Sequence, residues 1–293
     1  MLSRIESFGY RGAETSGVGR VVSAHGDYYH LVCNEAPGEI LARKKKSAFT
    51  RMKTRAPVTM RGLKVSERRE VEPLMPMTGD FVRFRYNAQG DSMILEVLPR
   101  FSHFERRDPT ARRTVQTLAV NFNTLFVMMS LNENFSTARV DRFLTLAADC
   151  GEAEVVVVVT KADLREAGDE AFLDALDETI AGRARRLLVS ARSGEGMDAV
   201  LGYVRERETL AFVGSSGVGK STLLNTLAGE EWAATQEIQE WSGKGRHTTT
   251  SRELVMLPSG AMVIDTPGIR EIGLRDEEDA ALAKGVSSHR FRL

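Results

Sequence analysis

The chain has 293 residues, 42% of them hydrophobic, and its 40 Lys and Arg residues balance 40 Asp and Glu residues. This length predicts about two domains, and the apolar content excludes an intrinsically disordered chain. No run of about 18 apolar residues occurs, and Cys33 and Cys150 form no Cys-x-x-Cys pair, which excludes a membrane-spanning helix and a cysteine-rich zinc site. The first residues also lack a signal-peptide core, so we expect a cytoplasmic protein.

Charge is unevenly distributed along the chain. Residues 1–120 contain 21 Lys and Arg against 13 Asp and Glu, whereas residues 121–293 contain 19 against 27. Between Arg43 and Arg69, eleven basic residues accompany a single acidic one, Glu67. Such a cluster favours a polyanionic partner, because Lys and Arg displace counterions from phosphates, although a solvated surface can have the same composition. We therefore expect the front part of the chain to bind nucleic acid.

Short strands are predicted throughout residues 1–98. Two β-rich runs within residues 19–33 flank the turn His25-Gly26-Asp27. Further strands are expected at residues 39–42, 81–86 and 93–98. Several short strands separated by turns predict a small all-β barrel. The OB-fold is one such barrel, and it commonly binds oligonucleotides; a barrel with only a structural role is the alternative.

The pattern changes after a polar, Arg-rich stretch at residues 99–116, which we expect to be a linker. Residues 117–275 contain continuous apolar runs separated by amphipathic segments. The runs lie at 125–130, 155–159, 187–189 and 211–213, and the amphipathic segments include 139–148 and 170–181. Continuous β-branched runs suit strands buried on both faces, so we predict an α/β domain with a mostly parallel sheet. Residues 276–293 are expected to be a C-terminal tail.

The motif GSSGVGKS begins at Gly214, between an apolar run and a helical segment. It fits the G-x-x-x-x-G-K-[ST] pattern of phosphate-binding loops, in which backbone N–H groups face phosphates at a helix N-terminus. Lys220 would bind the β- and γ-phosphates, and the Ser221 hydroxyl would bind Mg²⁺. A glycine-rich turn is the alternative, which the flanking strand and helix disfavour. The predicted nucleotide-binding residues here are Gly214, Ser215, Ser216, Gly217, Val218, Gly219, Lys220, Ser221 and Thr222.

Two further motifs follow the phosphate loop. The first, Asp265-Thr266-Pro267-Gly268, comes after an apolar run; Asp265 would orient Mg²⁺, and Gly268 would contact the nucleotide. The second, at residues 243–250, is a polar, glycine-bearing loop with three threonines near its end. One of these threonines, for which Thr249 is our candidate, would close on Mg²⁺ and the nucleotide when a γ-phosphate is present. His247 in the same loop is the candidate catalytic residue, as a general base or as a group that positions water; a surface histidine is the alternative.

The motif Thr160-Lys161-Ala162-Asp163 follows the five-valine run and resembles the [NT]KxD motif of GTPases, with Thr160 where Asn is usual. In such motifs the Asp carboxylate accepts hydrogen bonds from guanine N–H groups that adenine lacks, so Asp163 favours GTP over ATP. Ser190-Ala191 resembles the short motif that follows in GTPases. A P-loop ATPase, which Asp163 disfavours, and a phosphate-transferring kinase, for which no acceptor signature is visible, are the alternatives.

These motifs occur along the chain in the order base motif, Ser-Ala, phosphate loop, switch loop and DTPG. This order is a circular permutation of the usual GTPase order. A permutation is physically possible because a parallel sheet can be cut at a surface loop and rejoined elsewhere while the site is kept.

With GSSGVGKSTLLN, GRHTTT and DTPGIRE, the chain resembles the small ribosomal subunit biogenesis GTPase RsgA (YjeQ) family over most of residues 19–275. The resemblance implies an OB-fold barrel, GTP and Mg²⁺ as ligands, and hydrolysis that the small subunit stimulates late in its maturation. It also implies that Ile269 stands where many GTPases have a catalytic Gln, and that His247 substitutes for that Gln. The family ends in a zinc-binding domain, but no cysteine follows Cys150 and His289 alone cannot bind zinc, so no zinc is expected.

We therefore predict a circularly permuted α/β P-loop GTPase domain preceded by a small all-β OB-fold barrel. The predicted function is GTP hydrolysis in late maturation of the small ribosomal subunit. The expected partners are that subunit and its rRNA, with no membrane and a monomeric state. The alternative function is a GTP-gated, RNA-binding assembly factor with little turnover of its own.

Overall fold

The computed structural model describes residues 2–49, 52–60, 63–71, 74–107, 115–131, 135–215, 217–229 and 253–265. The described residues of the first part of the chain form one short α-helix, one 3₁₀ turn at Lys46–Phe49 and seven strands. The α-helix and the strands are α1 (Arg4–Ser7), β1 (Val18–His25), β2 (Tyr28–Cys33), β3 (Ile40–Lys44), β4 (Met52–Met60), β5 (Leu63–Val71), β6 (Phe81–Arg85) and β7 (Ser92–Val97). Within the described ranges, no helix combines the length and apolar character needed to cross a bilayer.

Five of these strands close into a barrel in the order β1-β2-β3-β7-β6, with β6 pairing back onto β1. Neighbouring strands are antiparallel except β3 and β7, which run parallel. Leu31, Val82 and Ile94 are fully buried and belong to the barrel core. This closure confirms the predicted small barrel, and its topology is OB-like.

Strands β4 and β5 pair with each other as a separate two-stranded hairpin, most of which lies within the basic segment 43–69. Neither strand of this hairpin was predicted from the sequence. A signal was present, because Met52, Ala56, Val58 and Met60 lie two or four residues apart, which is typical of a strand with one apolar face. The basic residues between them dominated the composition and obscured that alternation.

The second part of the chain alternates strands and helices. Its elements are β8 (His103–Arg107), β9 (Val115–Val120), β10 (Thr124–Ser130), α2 (Thr137–Ala147), β11 (Glu154–Thr160), α3 (Asp169–Ile180), β12 (Arg185–Leu188), α4 (Met197–Leu201), β13 (Thr209–Gly214), α5 (Lys220–Ala228), β14 (Glu253–Met256) and β15 (Met262–Asp265). Strands β8 and β9 form an antiparallel pair.

The other six strands form a sheet in the order β12-β11-β10-β13-β15-β14, in which only the β14–β15 pair is antiparallel. Val157 and Val159 of β11 belong to a core that includes residues of α2 and α3. Val156 and Val158 belong to a second core, which includes residues of α4 and α5. Because helices cover both faces of the sheet, successive residues of a strand are buried on opposite faces. The sequence of such a strand is therefore a continuous apolar run.

The stretch that we expected to be a linker, residues 99–116, contributes strand β8 and the beginning of β9. Phe104 of β8 is fully buried and belongs to the same core as residues of α2. Just before β8, the Ser102 hydroxyl donates to the carbonyl oxygen of Phe122 at 2.6 Å and accepts from its N–H at 2.7 Å. Ser102 and Phe104 therefore pack this part of the stretch closely against the α/β elements that follow it.

The barrel and the parallel sheet are continuous, because β1 of the barrel pairs with β14 through Ser23 and Glu253. Close to this junction lies Arg20 of β1, whose side chain is only 1% exposed. Its Nη1 donates to the carbonyl oxygen of Phe8 at 2.6 Å, and its Nη2 donates to that of Asn121 at 2.9 Å. Burial lowers the pKa of Arg20 to about 9.

A second buried charge lies beside Arg20. Asp80 has no exposed surface, and its two carboxylate oxygens accept hydrogen bonds from the guanidinium of Arg100, each of 2.8 Å. The N–H of Met77 donates to the same carboxylate at 2.9 Å. Burial raises the pKa of Asp80, whereas Arg100 acts in the opposite direction. A network of charged hydrogen bonds thus holds residues before, within and after the barrel together.

Candidate functional site

The phosphate loop connects the end of β13 to the start of α5. Gly214 ends the strand at a close approach to β10, since a Cβ atom at this position would lie 2.5 Å from the carbonyl oxygen of Met128. Gly219 precedes the first residue of α5 with a φ of 88°, which favours glycine. Lys220 begins the helix, and its Nζ donates to the carbonyl oxygens of Gly214 and Ser215 at 2.7 and 3.0 Å. The lysine ammonium therefore lies against the loop that would hold phosphates.

A cavity of about 230 Å³ opens beside this loop. It brings together the predicted base motif, the Ser-Ala pair and the start of α5, which lie far apart in the chain. Its lining residues are Thr160, Lys161, Asp163, Leu164, Val189, Ser190, Ala191, Arg192, Gly219, Thr222 and Leu223. Leu164, Val189, Arg192 and Leu223 were not predicted as site residues. Each is adjacent in the chain to a predicted residue, and that adjacency was the available signal.

The Asp163 carboxylate is held by a neighbouring hydroxyl. The Ser190 Oγ donates to Asp163 Oδ1 at 2.6 Å and itself accepts the N–H of Ser193 at 3.1 Å. The backbone N–H of Ala162 donates to the carbonyl oxygen of Val189 at 3.1 Å. These contacts fix the base motif against the Ser-Ala turn, so the carboxylate is oriented before any ligand binds.

Thr160 contacts the phosphate loop through its side chain. It is 5% exposed, and its Oγ1 lies 2.6 Å from the carbonyl oxygen of Val218 and 3.0 Å from that of Met129. A hydroxyl has one proton, so it donates to one of these carbonyls at a time. The threonine that replaces the usual asparagine therefore joins the base motif to the phosphate loop.

Several predicted site residues cannot be compared with this geometry. Ser216, His247, Thr249 and Gly268 lie outside the described residues.

The backbone of Asp265 ends β15, which runs parallel to β13, so both strands point toward the same edge of the sheet. Ser221 follows Lys220 in the first turn of α5 and is exposed, and its hydroxyl oxygen is the kind of hard ligand that suits Mg²⁺. Among the residues that the structure describes, no three His, Cys, Asp or Glu side chains are grouped to hold a metal ion.

A second candidate site, which we call the barrel row, crosses the outer wall of the barrel. The strand registers place five exposed residues side by side, one from each strand: His25, Tyr28, Arg43, Met93 and Arg85. The Arg43 guanidinium lies over the Tyr28 ring, 4.3 Å from its centroid, and its Nη2 donates to the Tyr28 hydroxyl at 2.7 Å. Exposed aromatic and guanidinium groups together suit nucleobases and phosphates. The barrel row was not predicted from the sequence, because only the strand register aligns its members.

The chain is similar in sequence to a family model and to individual proteins that carry the same family description. A family model described as RsgA GTPase matches residues 97–275. A protein of Lactiplantibacillus plantarum named small ribosomal subunit biogenesis GTPase RsgA 2 is 39% identical over 258 residues. The match covers 87% of this chain and 66% of that protein, so the chain spans about two thirds of its relative's length.

Two solved structures have a similar fold. YjeQ from Thermotoga maritima has a TM-score of 0.58 and 25% sequence identity, with 88% of this chain and 77% of that chain covered. YloQ, described as a circularly permuted GTPase, has a TM-score of 0.52 and 21% identity, with 91% of this chain and 77% of that chain covered.

Proposed function

This chain belongs to the RsgA GTPase family, and we propose that it hydrolyses GTP during late maturation of the small ribosomal subunit. The observation that carries the proposal is the cavity beside the phosphate loop. Asp163 and Ser190 are 27 residues apart, and Thr160 and Val218 are 58 apart, yet each pair is in hydrogen-bond contact. A base-reading carboxylate held next to a phosphate loop is the arrangement that a guanine nucleotide requires.

The domain organisation proposed for the chain follows the sequence motifs. Residues 1–98 would form the OB-fold barrel and residues 99–116 a connecting segment. Residues 117–275 would form a circularly permuted P-loop GTPase domain, and residues 276–293 a tail. Strand β13, which leads into the phosphate loop, lies in the sheet between β10 and β15. It comes after β10, β11 and β12 in the chain, so the strand of the phosphate loop is not the first strand of this sheet, which supports the permutation.

Each motif has a proposed role in binding GTP. Asp163 would accept the N–H groups of guanine, with Ser190 fixing its orientation, while Lys161 and Ala191 would line the base pocket. Lys220 would leave the loop carbonyls and donate to the β- and γ-phosphates. Mg²⁺, held by Ser221, Asp265 and Thr249, would neutralise charge on these phosphates. His247 would orient the attacking water.

The barrel would supply the contact with rRNA. The barrel row presents Tyr28 for stacking and Arg43 and Arg85 for phosphates. The basic segment 43–69 continues from the row into the β4–β5 hairpin. We place this activity in the cytoplasm, where the protein would act as a monomer on the subunit.

The test is the GTP hydrolysis rate of the purified chain with and without small ribosomal subunits. We expect slow hydrolysis alone and a large increase with subunits. Lys220→Ala should abolish hydrolysis in both conditions, because it removes the proposed phosphate ligand. The double variant Tyr28→Ala/Arg85→Ala should keep basal hydrolysis and lose most of the stimulation. If GTP binds but subunits give no stimulation, the ribosomal role is wrong; if GTP does not bind, the nucleotide site is wrong.

A further inference from the structure

Arg139 of α2 contacts the phosphate loop through its side chain. Its Nη1 donates to the hydroxyl of Ser215 at 3.0 Å, a contact between residues 76 positions apart. Ser215 is the second residue of the loop, directly after the end of β13. No nucleotide-binding motif in the sequence includes Arg139.

The position of Arg139 within its helix is electrostatically unfavourable. The helix begins after Ser136, whose hydroxyl caps it by accepting the N–H of Arg139 at 3.3 Å. Arg139 is thus the third helical residue, where glutamate or glutamine completes a capping box and where the helix dipole repels a cation. The contact with Ser215 supplies a compensating interaction for a cation at this position.

The surroundings of the contact are largely apolar. A small cavity of about 10 Å³, no larger than a water molecule needs, lies between α2 and the loop. Its lining includes Met128, Val140, Phe143 and Val218 together with Arg139 and Ser215. The contact is half-buried, and a charged hydrogen bond is stronger in such surroundings than in water because the local dielectric is lower.

Different side chains hold the two halves of the phosphate loop. Thr160 holds the second half through the carbonyl oxygen of Val218, and Arg139 holds the first half through Ser215. Lys220 also binds the first half, through the carbonyl oxygens of Gly214 and Ser215. If Lys220 turned to a phosphate, as proposed above, those carbonyls would lose their cation, whereas the contact of Arg139 with the Ser215 hydroxyl would remain.

We propose that Arg139 is a positioning residue for the phosphate loop, which sets the affinity for the nucleotide phosphates without reading the base. The inference rests on the proposed GTP-binding function of the same site. Arg139 acts through Ser215, since its Nη1 donates to the Ser215 hydroxyl.

The test is the dissociation constant for GDP and for IDP, whose base lacks the 2-amino group that Asp163 would read. Arg139→Ala should weaken both nucleotides about tenfold, which leaves their ratio unchanged, because one charged hydrogen bond is lost at the loop. Ser215→Ala should have a similar effect, and the double variant should be no worse than either single variant. Arg139→Lys, which keeps the cation, should recover part of the affinity.

Two measurements separate this role from a general effect on folding. The melting temperature of the nucleotide-free Arg139→Ala protein should remain close to that of the wild type, and Arg142→Ala, an exposed change on the same helix, should leave GDP affinity unchanged. Unchanged GDP affinity in Arg139→Ala, a changed GDP-to-IDP ratio, or additive effects with Ser215→Ala would overturn the inference. A wild-type chain that binds neither GDP nor IDP would overturn the proposed function, and the inference with it.

Discussion

At the scale of single residues, the site depends on polar side chains that are held by their neighbours. Asp163 is exposed to solvent and still has a fixed orientation, because Ser190 donates to one of its oxygens. Thr160 is nearly buried and has its hydroxyl between two backbone carbonyls. Specificity in such a site comes from a ready-placed acceptor that a wrong base leaves unsatisfied.

Asp163→Asn should change the preferred base from guanine to xanthine. The asparagine amide would place an N–H group against the N–H groups of guanine, whereas xanthine offers a carbonyl oxygen at that edge. We expect GDP affinity to fall by about a hundredfold or more, while XDP becomes the better ligand. Competition between GDP and XDP for the purified variant measures this change. Asp174→Asn, an exposed change on α3, is the control and should leave the preference for GDP intact.

At the scale of elements, the phosphate loop depends on how closely two strands approach. Strands β10 and β13 pair in parallel from Thr124 and Leu210 to Met128 and Gly214. The loop leaves the sheet at this last pair, where the carbonyl oxygen of Met128 occupies the space that a side chain at Gly214 would need. The first glycine of the motif is therefore required by strand packing as well as by the turn.

Gly214→Ala should destabilise the fold and weaken nucleotide binding together. The added methyl group would overlap the Met128 carbonyl oxygen, so β13 must shift and carry the loop with it. Such overpacking costs about 1 to 3 kcal/mol of unfolding free energy. Urea unfolding and GDP titration of the same preparation measure both effects. Gly38→Ala, where an added Cβ has no atom within 4 Å, should change neither quantity; wild-type behaviour of Gly214→Ala would contradict the packing explanation.

At the scale of the whole molecule, the barrel and the parallel sheet are joined by more than a connecting segment. β1 belongs to the barrel and also pairs with β14 of the larger sheet, so hydrogen bonding continues across the junction. Arg20 and the Asp80–Arg100 pair lie beside this junction with almost no exposure. Removing one partner of a buried ion pair leaves an uncompensated charge, which costs far more than losing an exposed pair.

Arg100→Ala should lower the unfolding free energy by about 3 to 5 kcal/mol near neutral pH, because Asp80 would remain buried without the guanidinium that donates to both of its oxygens. Burial already raises the pKa of Asp80, and without Arg100 that pKa rises further. A carboxyl with a raised pKa in the folded state stabilises the fold at low pH, and this stabilisation is lost as the pH rises through the folded pKa. The deficit of the variant should therefore shrink as the pH falls toward about 4.

Urea unfolding of the wild type and of Arg100→Ala, at neutral pH and at about pH 4, measures this dependence. Arg183→Ala is the matched control, because Arg183 and Asp141 form an ion pair with side chains that are 40% and 54% exposed. Its removal should cost about 1 kcal/mol or less. A deficit for Arg100→Ala that is equal at both pH values would show that Asp80 is not the charge left uncompensated.

Local patterns in the sequence determined much of the fold and the outline of the site. The five-valine run indicated a strand buried on both faces, since Val156 to Val159 are adjacent and all apolar. The spacing from Gly214 to Lys220 indicated a phosphate loop, and the Thr-Lys-Ala-Asp motif indicated a base-reading residue. The short runs before residue 98 indicated a small barrel. The structure contains the buried strand and the barrel, whereas the nucleotide roles of the two motifs stay predictions. All of them could be inferred from the sequence because each depends on residues a few positions apart, whose periodicity or spacing reflects local geometry.

Only the tertiary structure decided which distant residues become partners. Thr160 contacts Val218, Arg139 contacts Ser215, and the barrel row is aligned by the pairing of five strands. The burial of Arg20 also could not be predicted from the sequence. A single arginine in a strand is expected at the surface, yet Arg20 is buried where the barrel meets the larger sheet. Such contacts depend on strand register and helix packing, which result from the summed burial of many apolar side chains and leave no signal at the residues concerned.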